Sequence, residues 1–378
     1  MRSRKCISLL VVLTVLMFSV SPAWAAGSAD SRSRDVTDVV HRAFGERVRA
    51  LNSNNTKALE GFYVQGSDAI AHEASRQMAW RAVEKKLGGP ITAFTLDRLD
   101  MMDPTLDGNN AMLKAYEVIM FSWKDAAGGD NLSGLGVWHD ITLAYANANW
   151  RIVSDAYDEG PLVWGQPCSN PNIATPTVRL ASAPDAVVNP KVIYVPYNRS
   201  NAASYADSWV IHNSTIGYNV RDASYYNPAY KNYNPPDYGG DCANFVSQAL
   251  FAGGWQYDSS WWYNNNGTGG TQTSDDTAST TWTYAPTHFS YWAGARGVQV
   301  GSPSQLDTGD PVYYDWAYVS PDGPDKIQHV AIVVGRTTDG VPLVDAHNWD
   351  YYHVPYSGIV VQGDKIYLVH VNNYIPWN

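Results

Sequence analysis

The chain has 378 residues, of which 45% are hydrophobic and 16% charged, with a formal net charge of −10 at pH 7. That length corresponds to about two domains, and the acidic balance argues against nucleic acid or an anionic membrane surface as partners. Three cysteines in so long a chain exclude a disulfide-built scaffold.

The first residues have the form of a secretory signal peptide, assigned to residues 1–25. Arg2, Arg4 and Lys5 precede an apolar run from Cys6 to Val20, and Ala23-Trp24-Ala25 fits a cleavage site. The run is too short to cross a bilayer, and no later stretch is longer, so the expectation is a secreted, extracellular protein with no membrane span. Without this segment 23 Lys and Arg face 36 Asp and Glu, a net charge of −13, and only Cys168 and Cys242 remain. Composition then breaks near residue 165. No glutamate follows Glu159, and 21 of the 25 tyrosines lie from Tyr194 onward.

An accessory domain is expected over residues 26–160. Val36, Val39, Val40, Phe44, Val48 and Leu51 repeat at helical spacing over residues 35–53, and a second helix is predicted from about Asp68 to Leu87, before Gly88-Gly89. The period then changes to two. Ile91 to Leu96, Ala111 to Trp123, Gly136 to Tyr145 and Trp150 to Asp158 read as strands. Helices followed by a meander give an α+β domain. The element order resembles a cystatin-like roll, a fold that hosts unrelated functions. His72 and His139 are read as structural histidines.

Residues 161–190, with six prolines, read as a linker. The C-terminal domain, 191–378, is expected to fold on its own. Asn198 or Ser200 can cap a helix running to about His212. The aromatic residues from Trp255 to Trp292 are read first as core, and the Gly/Asn/Thr/Ser-rich stretch Asn264 to Thr281 as a mobile loop or lid. Asp310 to Trp316, Ile327 to Val334, Val341 to Asn348, Gly358 to Val361 and Ile366 to Val371 alternate like strands of a largely antiparallel sheet.

The domain is organised around Gly239-Gly240-Asp241-Cys242-Ala243-Asn244-Phe245-Val246-Ser247-Gln248. The glycines permit a sharp turn, and Asp241 can cap the helix that follows. Phe245, Val246, Ala249 and Leu250 form its buried face. Cys242 then sits in the first turn, where backbone N–H groups and the helix dipole favour a thiolate. The plainer alternative is that Cys242 is a small core residue. A nucleophile needs a base, and His329 opens the apolar strand that follows it. The return strand carries Asp345, His347 and Asn348. A two-residue turn puts Asn348 on the face of His329, whereas a three-residue turn with Gly340 left-handed puts His347 and Asp345 there.

Asp241-Cys242-Ala243-Asn244-Phe245-Val246-Ser247-Gln248, followed by Gly253-Gly254, resembles the cysteine helix of the putative amidase domain family, in the wider NlpC and CHAP group of bacterial cysteine hydrolases. Tyr197-Asn198-Arg199, Asn227-Pro228, Thr281-Trp282, Gly309-Asp310 and Ala346-His347-Asn348 extend the likeness over about residues 190–355. The resemblance implies a papain-like α+β domain with the cysteine helix on an antiparallel sheet. It further implies a Cys242–His329 pair, His347 or Asn348 as orienting residue, and Asp241 against a substrate amine. The substrate class it implies is amide bonds in peptide or peptidoglycan. Gln328 stands where many relatives carry Asp. No cofactor or metal is called for, since no H-E-x-x-H or paired-cysteine motif occurs. The competing reading is a degenerate module that binds glycan or peptide without cleaving it. The oligomeric state is not legible.

Overall fold

The computed structural model describes residues 25–165, 168, 171–176, 193–211, 226–233, 240–266, 276–317 and 327–377. Residues 1–24 of the expected signal segment, Gly239, and residues 267–275 of the expected lid lie outside that set. The protein is α+β with antiparallel sheet pairing nearly throughout.

The N-terminal half opens with α1 (Ala25–Ser53) and α2 (Asp68–Leu87). The bounds of α2 follow from its ends: the Ser67 hydroxyl accepts from the Ile70 N–H, and Gly88 takes φ +85° after the last turn. Strands β1 (Ile91–Met101), β2 (Thr105–Asp107), β3 (Asn110–Lys124), β4 (Asp130–Ala146) and β5 (Asn149–Ala156) form a meander. Alternation on β3 puts its odd-numbered residues, from Ala111 to Trp123, on one face, which meets α1 at one end and α2 at the other. Ala111, Leu113 and Ala115 meet Val36, Val40 and Phe44 of α1, while Phe121 and Trp123 share a core with Trp80 and Val83 of α2. Between them lies a buried ionic cluster. Arg47 pairs with Glu73 at 3.1 Å and Asp155 at 3.2 Å, and Arg76 with Glu159 at 2.7 Å and Glu117 at 3.3 Å. His139 bonds Asp155 at 2.9 Å, and His72 stacks on Trp164.

Part of the expected linker is core. Residues Gly160–Trp164 form the short helix α3, with Leu162 and Val163 buried, and Asn172–Ile173 (β6) adds a parallel strand. The remaining elements are β7 (Ile193–Pro196), α4 (Arg199–Trp209), α5 (Cys242–Ala252), β8 (Tyr263–Asn264), β9 (Thr277–Ala278), α6 (Thr280–Thr283), α7 (Ala285–Trp292), β10 (Gly297–Val300), β11 (Pro311–Asp315), β12 (His329–Arg336), β13 (Pro342–Ala346), β14 (Asp350–Pro355), β15 (Lys365–Val371) and β16 (Tyr374–Trp377). Asn198 caps α4 by accepting from the Asn201 N–H at 3.0 Å. Gly358 to Val361, expected as a strand, is a turn followed by irregular chain.

One twelve-stranded sheet runs through both halves in the order β1-β3-β4-β14-β13-β12-β11-β15-β10, with β2 beside β3, β5 beside β4 and β6 beside β15. The join is β14 on β4, pairing Asp350 with Gly136, Tyr351 with Leu135 and Tyr352 with Gly134. Helices α4, α5 and α7 cover one face together with Tyr116, Val118 and Met120 of β3. The other face buries Ala346, Tyr351, Val354 and Tyr356 under Trp80, Val83, Leu162 and Val163. Gly134 permits the close approach, since an added Cβ would lie 2.4 Å from Ile211 Cδ1 and 2.6 Å from Met120 Sδ. The N-terminal half thus supplies the C-terminal half with both a neighbouring strand and the cover of one face.

Candidate active site

Helix α5 is buried from Cys242 to Leu250. Its polar residues are spent inward on neighbours that set the helix in place. Asn244 accepts from Trp282 Nε1 at 2.7 Å and donates to the Lys231 carbonyl at 3.0 Å. Ser247 donates to the Trp282 carbonyl at 2.9 Å and accepts from Trp261 Nε1 at 3.1 Å. Gln248 accepts from Tyr205, whose hydroxyl also receives Asn227 Nδ2. Trp255, Trp261, Trp282 and Trp292 are at most 1% exposed, as core packing requires.

Asp241 precedes the helix but does not cap it with its side chain. One carboxylate oxygen accepts from the Tyr233 N–H at 2.8 Å and Asn244 Nδ2 at 2.9 Å, and the other bonds His347 Nδ1 at 2.9 Å. The carboxylate expected to meet a substrate amine is thus buried and engaged within the protein. Gly240 takes φ +117° beside Asn348, whose Oδ1 accepts the Asp241 N–H.

Cys242 starts α5 and is 8% exposed. Burial pushes its thiol up to about 11; the Val330 N–H lowers it, the Asp241 charge raises it, and the N–H groups of Ala243 and Cys242 lower it. The helix start therefore does not yield a standing thiolate, because desolvation outweighs the local donors. Cys242 packs in one buried cluster with Val330 and Ile332 of β12, whereas the His329 ring, one residue before Val330, lies against Tyr314 and Trp316, which belong to the cluster on the other face of the sheet.

His329 is 1% exposed, and its ring stacks on Trp316 at 4.9 Å and tilts toward Tyr314 at 5.8 Å. Its Nε2 is buried without a hydrogen-bond partner among the described residues. Burial, and then the charge of His347, push its pKa down to about 3, so it is a neutral imidazole at neutral pH.

The hairpin turn is the three-residue form: the Thr337 N–H bonds the Val341 carbonyl at 2.9 Å, and Gly340 has φ +88°. A bulge between Val333 and Gly335 then shifts the register, so Ile332 faces Asp345. Asp345 consequently lies on the α4 side rather than on the side of His329. Strand β13 ends at Ala346, and His347 and Asn348 sit in the turn to β14, with Asn348 at φ +61°. His347 gives both ring nitrogens away, Nδ1 to Asp241 and Nε2 to the Trp209 carbonyl at 2.8 Å, and stacks on Phe245 at 4.0 Å. Burial alone would lower its pKa; the Asp241 bond and charge, the Asp350 charge and the Trp209 carbonyl raise it overall. Neither ring nitrogen of His347 is left to orient His329, and the Asn348 oxygen is directed at the helix start. The structure thus gathers Cys242, Asp241, His347 and Asn348 around one helix end, with His329 on the adjoining strand.

Sequence reasoning missed Trp316 and Asp350. Trp316 provides the plate under His329. Asp350 accepts from the Asn348 N–H at 3.3 Å and from the hydroxyl of Tyr116 on β3 at 2.8 Å, which ties the N-terminal sheet to the site. Only the aromatic-to-histidine proximity on neighbouring strands could have suggested the first. The remaining motif residues are clamps: Arg199 bonds Asp310 at 2.6 Å and the Thr308 carbonyl at 3.0 Å, while Tyr197 donates to the Gly309 carbonyl at 2.9 Å. Cys168 and Cys242 are both free thiols.

Residues 196–371 match the family described as a putative amidase domain, which supports a hydrolase of amidase type for the C-terminal half. The uncharacterized protein YhbB of Bacillus subtilis strain 168 is 31% identical over 171 residues, 41% of this chain and 42% of that relative. The match thus spans well under half of YhbB. Among solved structures, an NTF2-like protein with a cystatin-like fold from Novosphingobium aromaticivorans is 16% identical, covering 36% of this chain and 88% of its own, at a TM-score of 0.26. The intermembrane-space region of the chloroplast protein ARC6 is 13% identical, covering 33% of this chain and 95% of its own, at a TM-score of 0.25. Likenesses of that size do not define a function.

Proposed function

We propose that the protein is a secreted, cysteine-dependent amide-bond hydrolase of papain-like architecture, acting on peptide or peptidoglycan of the cell wall. What supports the reading is the Cys242 thiol at the start of α5, packed in one cluster with Val330, the residue after His329, together with the match of residues 196–371 to the putative amidase domain.

In this reading the resting pair is neutral: the thiol is protonated and the imidazole unprotonated. The His329 imidazole, which rests against Trp316 and Tyr314, turns to the thiol and takes its proton as the sulfur attacks the amide carbonyl. The Cys242 N–H, with a neighbouring donor, holds the oxyanion. The imidazolium then gives its proton to the leaving amine, and water, activated by His329, hydrolyses the thioester to acid and free thiol. Trp316 orients the imidazole by stacking. Asp241 and His347 act as positioning residues, and burial, with the His347 charge second, keeps His329 unprotonated between turnovers.

A second reading, a module that binds peptide or glycan without cleaving it, is favoured by the raised thiol pKa. Alkylation separates the two. In a Cys168→Ser variant, excess iodoacetamide is expected to abolish amine release from wall peptides in step with the modification of Cys242 followed by peptide mass. Amine release that persists after complete modification of Cys242 would rule out the nucleophile.

A further inference from the structure

Asp207 on α4, Asp345 on β13 and His353 on β14 converge on one point at the edge of the α4–sheet interface. One ligand atom from each lies within 4.8 Å of the other two. His353 Nε2 meets an Asp207 carboxylate oxygen at 2.7 Å. Asp345 is fully buried; one oxygen accepts the His353 N–H at 2.7 Å, and the other has no hydrogen-bond donor among the described residues and faces the Asp207 carboxylate. No lysine or arginine pairs with either carboxylate among the described residues.

Two local features hold this geometry. Between the pairs Val344–Val354 and Ala346–Tyr351 the register shifts, so Tyr352 and His353 together oppose Asp345. Such a bulge re-aims a side chain. His353 also adopts φ +51°, a left-handed conformation unusual for a residue with a side chain, and its carbonyl accepts from Ser133 Oγ at 2.6 Å. The bulge and the backbone turn bring the imidazole to two carboxylates that would otherwise repel each other. A buried carboxylate oxygen without a donor, facing a second carboxylate, is relieved by a proton shared between the two or by a cation that takes the proton's place.

We propose that Asp207, Asp345 and His353 form a divalent transition-metal site for zinc or manganese. Two carboxylates and an imidazole are a borderline donor set that suits these ions better than calcium or magnesium, which favour oxygen alone. The Asp207 and His353 side chains are 38% and 26% exposed, so an ion can enter and keep water in its remaining positions. The bound metal pins α4 to the β13–β14 hairpin. That pin lies two residues from His347 on one side and two residues from Trp209, the carbonyl partner of His347, on the other.

The test is calorimetric titration of metal-free, untagged full chain with Zn2+ and, separately, Mn2+, with melting followed in parallel. The expected result is one equivalent bound per chain for at least one of the two ions, with a rise in Tm that grows with metal concentration. Asp207→Asn, on the accessible side of α4, and Asp345→Asn are each expected to weaken binding by more than about tenfold, beyond the loss that outer-shell changes cause. Far-UV circular dichroism checks that both variants fold. Absence of binding heat and of a Tm shift with both ions overturns the site, as does stoichiometric binding that survives both substitutions.

Discussion

Replacing Asp241 by Asn tests how the cysteine helix is anchored. The wild-type carboxylate serves three donors at 2.8, 2.9 and 2.9 Å, and its pair with His347 is almost completely buried, at 0% and 2% side-chain exposure. An amide retains one acceptor, enough for the Tyr233 N–H and Asn244, and turns an N–H toward His347 Nδ1. A neutral His347 can accept that bond while Nε2 still donates to Trp209, whereas an imidazolium cannot. The loss should therefore be about 3 kcal/mol near pH 6, the low end for breaking a buried ion pair. The pH dependence has a definite sign. The folded His347 pKa is raised, so its contribution is fully present below the unfolded value near 6.5 and fades as pH rises through the folded one. The difference between wild type and Asp241→Asn, measured by urea unfolding with tryptophan fluorescence, should shrink toward about 1 kcal/mol at alkaline pH, the worth of an ordinary hydrogen bond. A difference below about 1 kcal/mol at pH 6, or one that does not change with pH, would refute an ion pair at this position.

A truncated chain beginning at residue 190 should lack a cooperative unfolding transition, because truncation strips β4 from β14 and uncovers Tyr351, Val354 and Tyr356, each buried apolar side chain being worth about 1.5–3 kcal/mol; full-length stability in the truncated chain would show that the shared sheet is dispensable. The alkylation rate of Cys242 should climb about tenfold per pH unit from neutral pH toward about 11, and a rate already level near pH 8 would mean that burial does not control the thiol.

The elements visible in the sequence are those with local signals. Helix α2 ends where Ser67 and Gly88 place it, and the cysteine helix follows from its apolar spacing and flanking glycines. The hairpin is legible as a hairpin, yet its register rests on a single bulged residue that no local pattern announces. Strand β14 is not legible because its partner β4 lies more than two hundred residues earlier, and such pairing is decided by tertiary packing. For the same reason the sequence divides at the proline-rich stretch where the fold does not, since Leu162 and Val163 inside it are core. At the site, the candidate residues can be read but their bonds cannot. His347 and Asn348 are expected to serve His329, and the folded chain directs them to Asp241 instead.

The central claim is that Cys242 forms and breaks a covalent bond to substrate. Purified cell-wall fragments digested with wild type and with folded Cys242→Ala, and compared by product mass, test it directly. The account predicts new acid and amine termini, with the mass of one water added per cleavage, for wild type and none for the variant. Equal product from both proteins would contradict it.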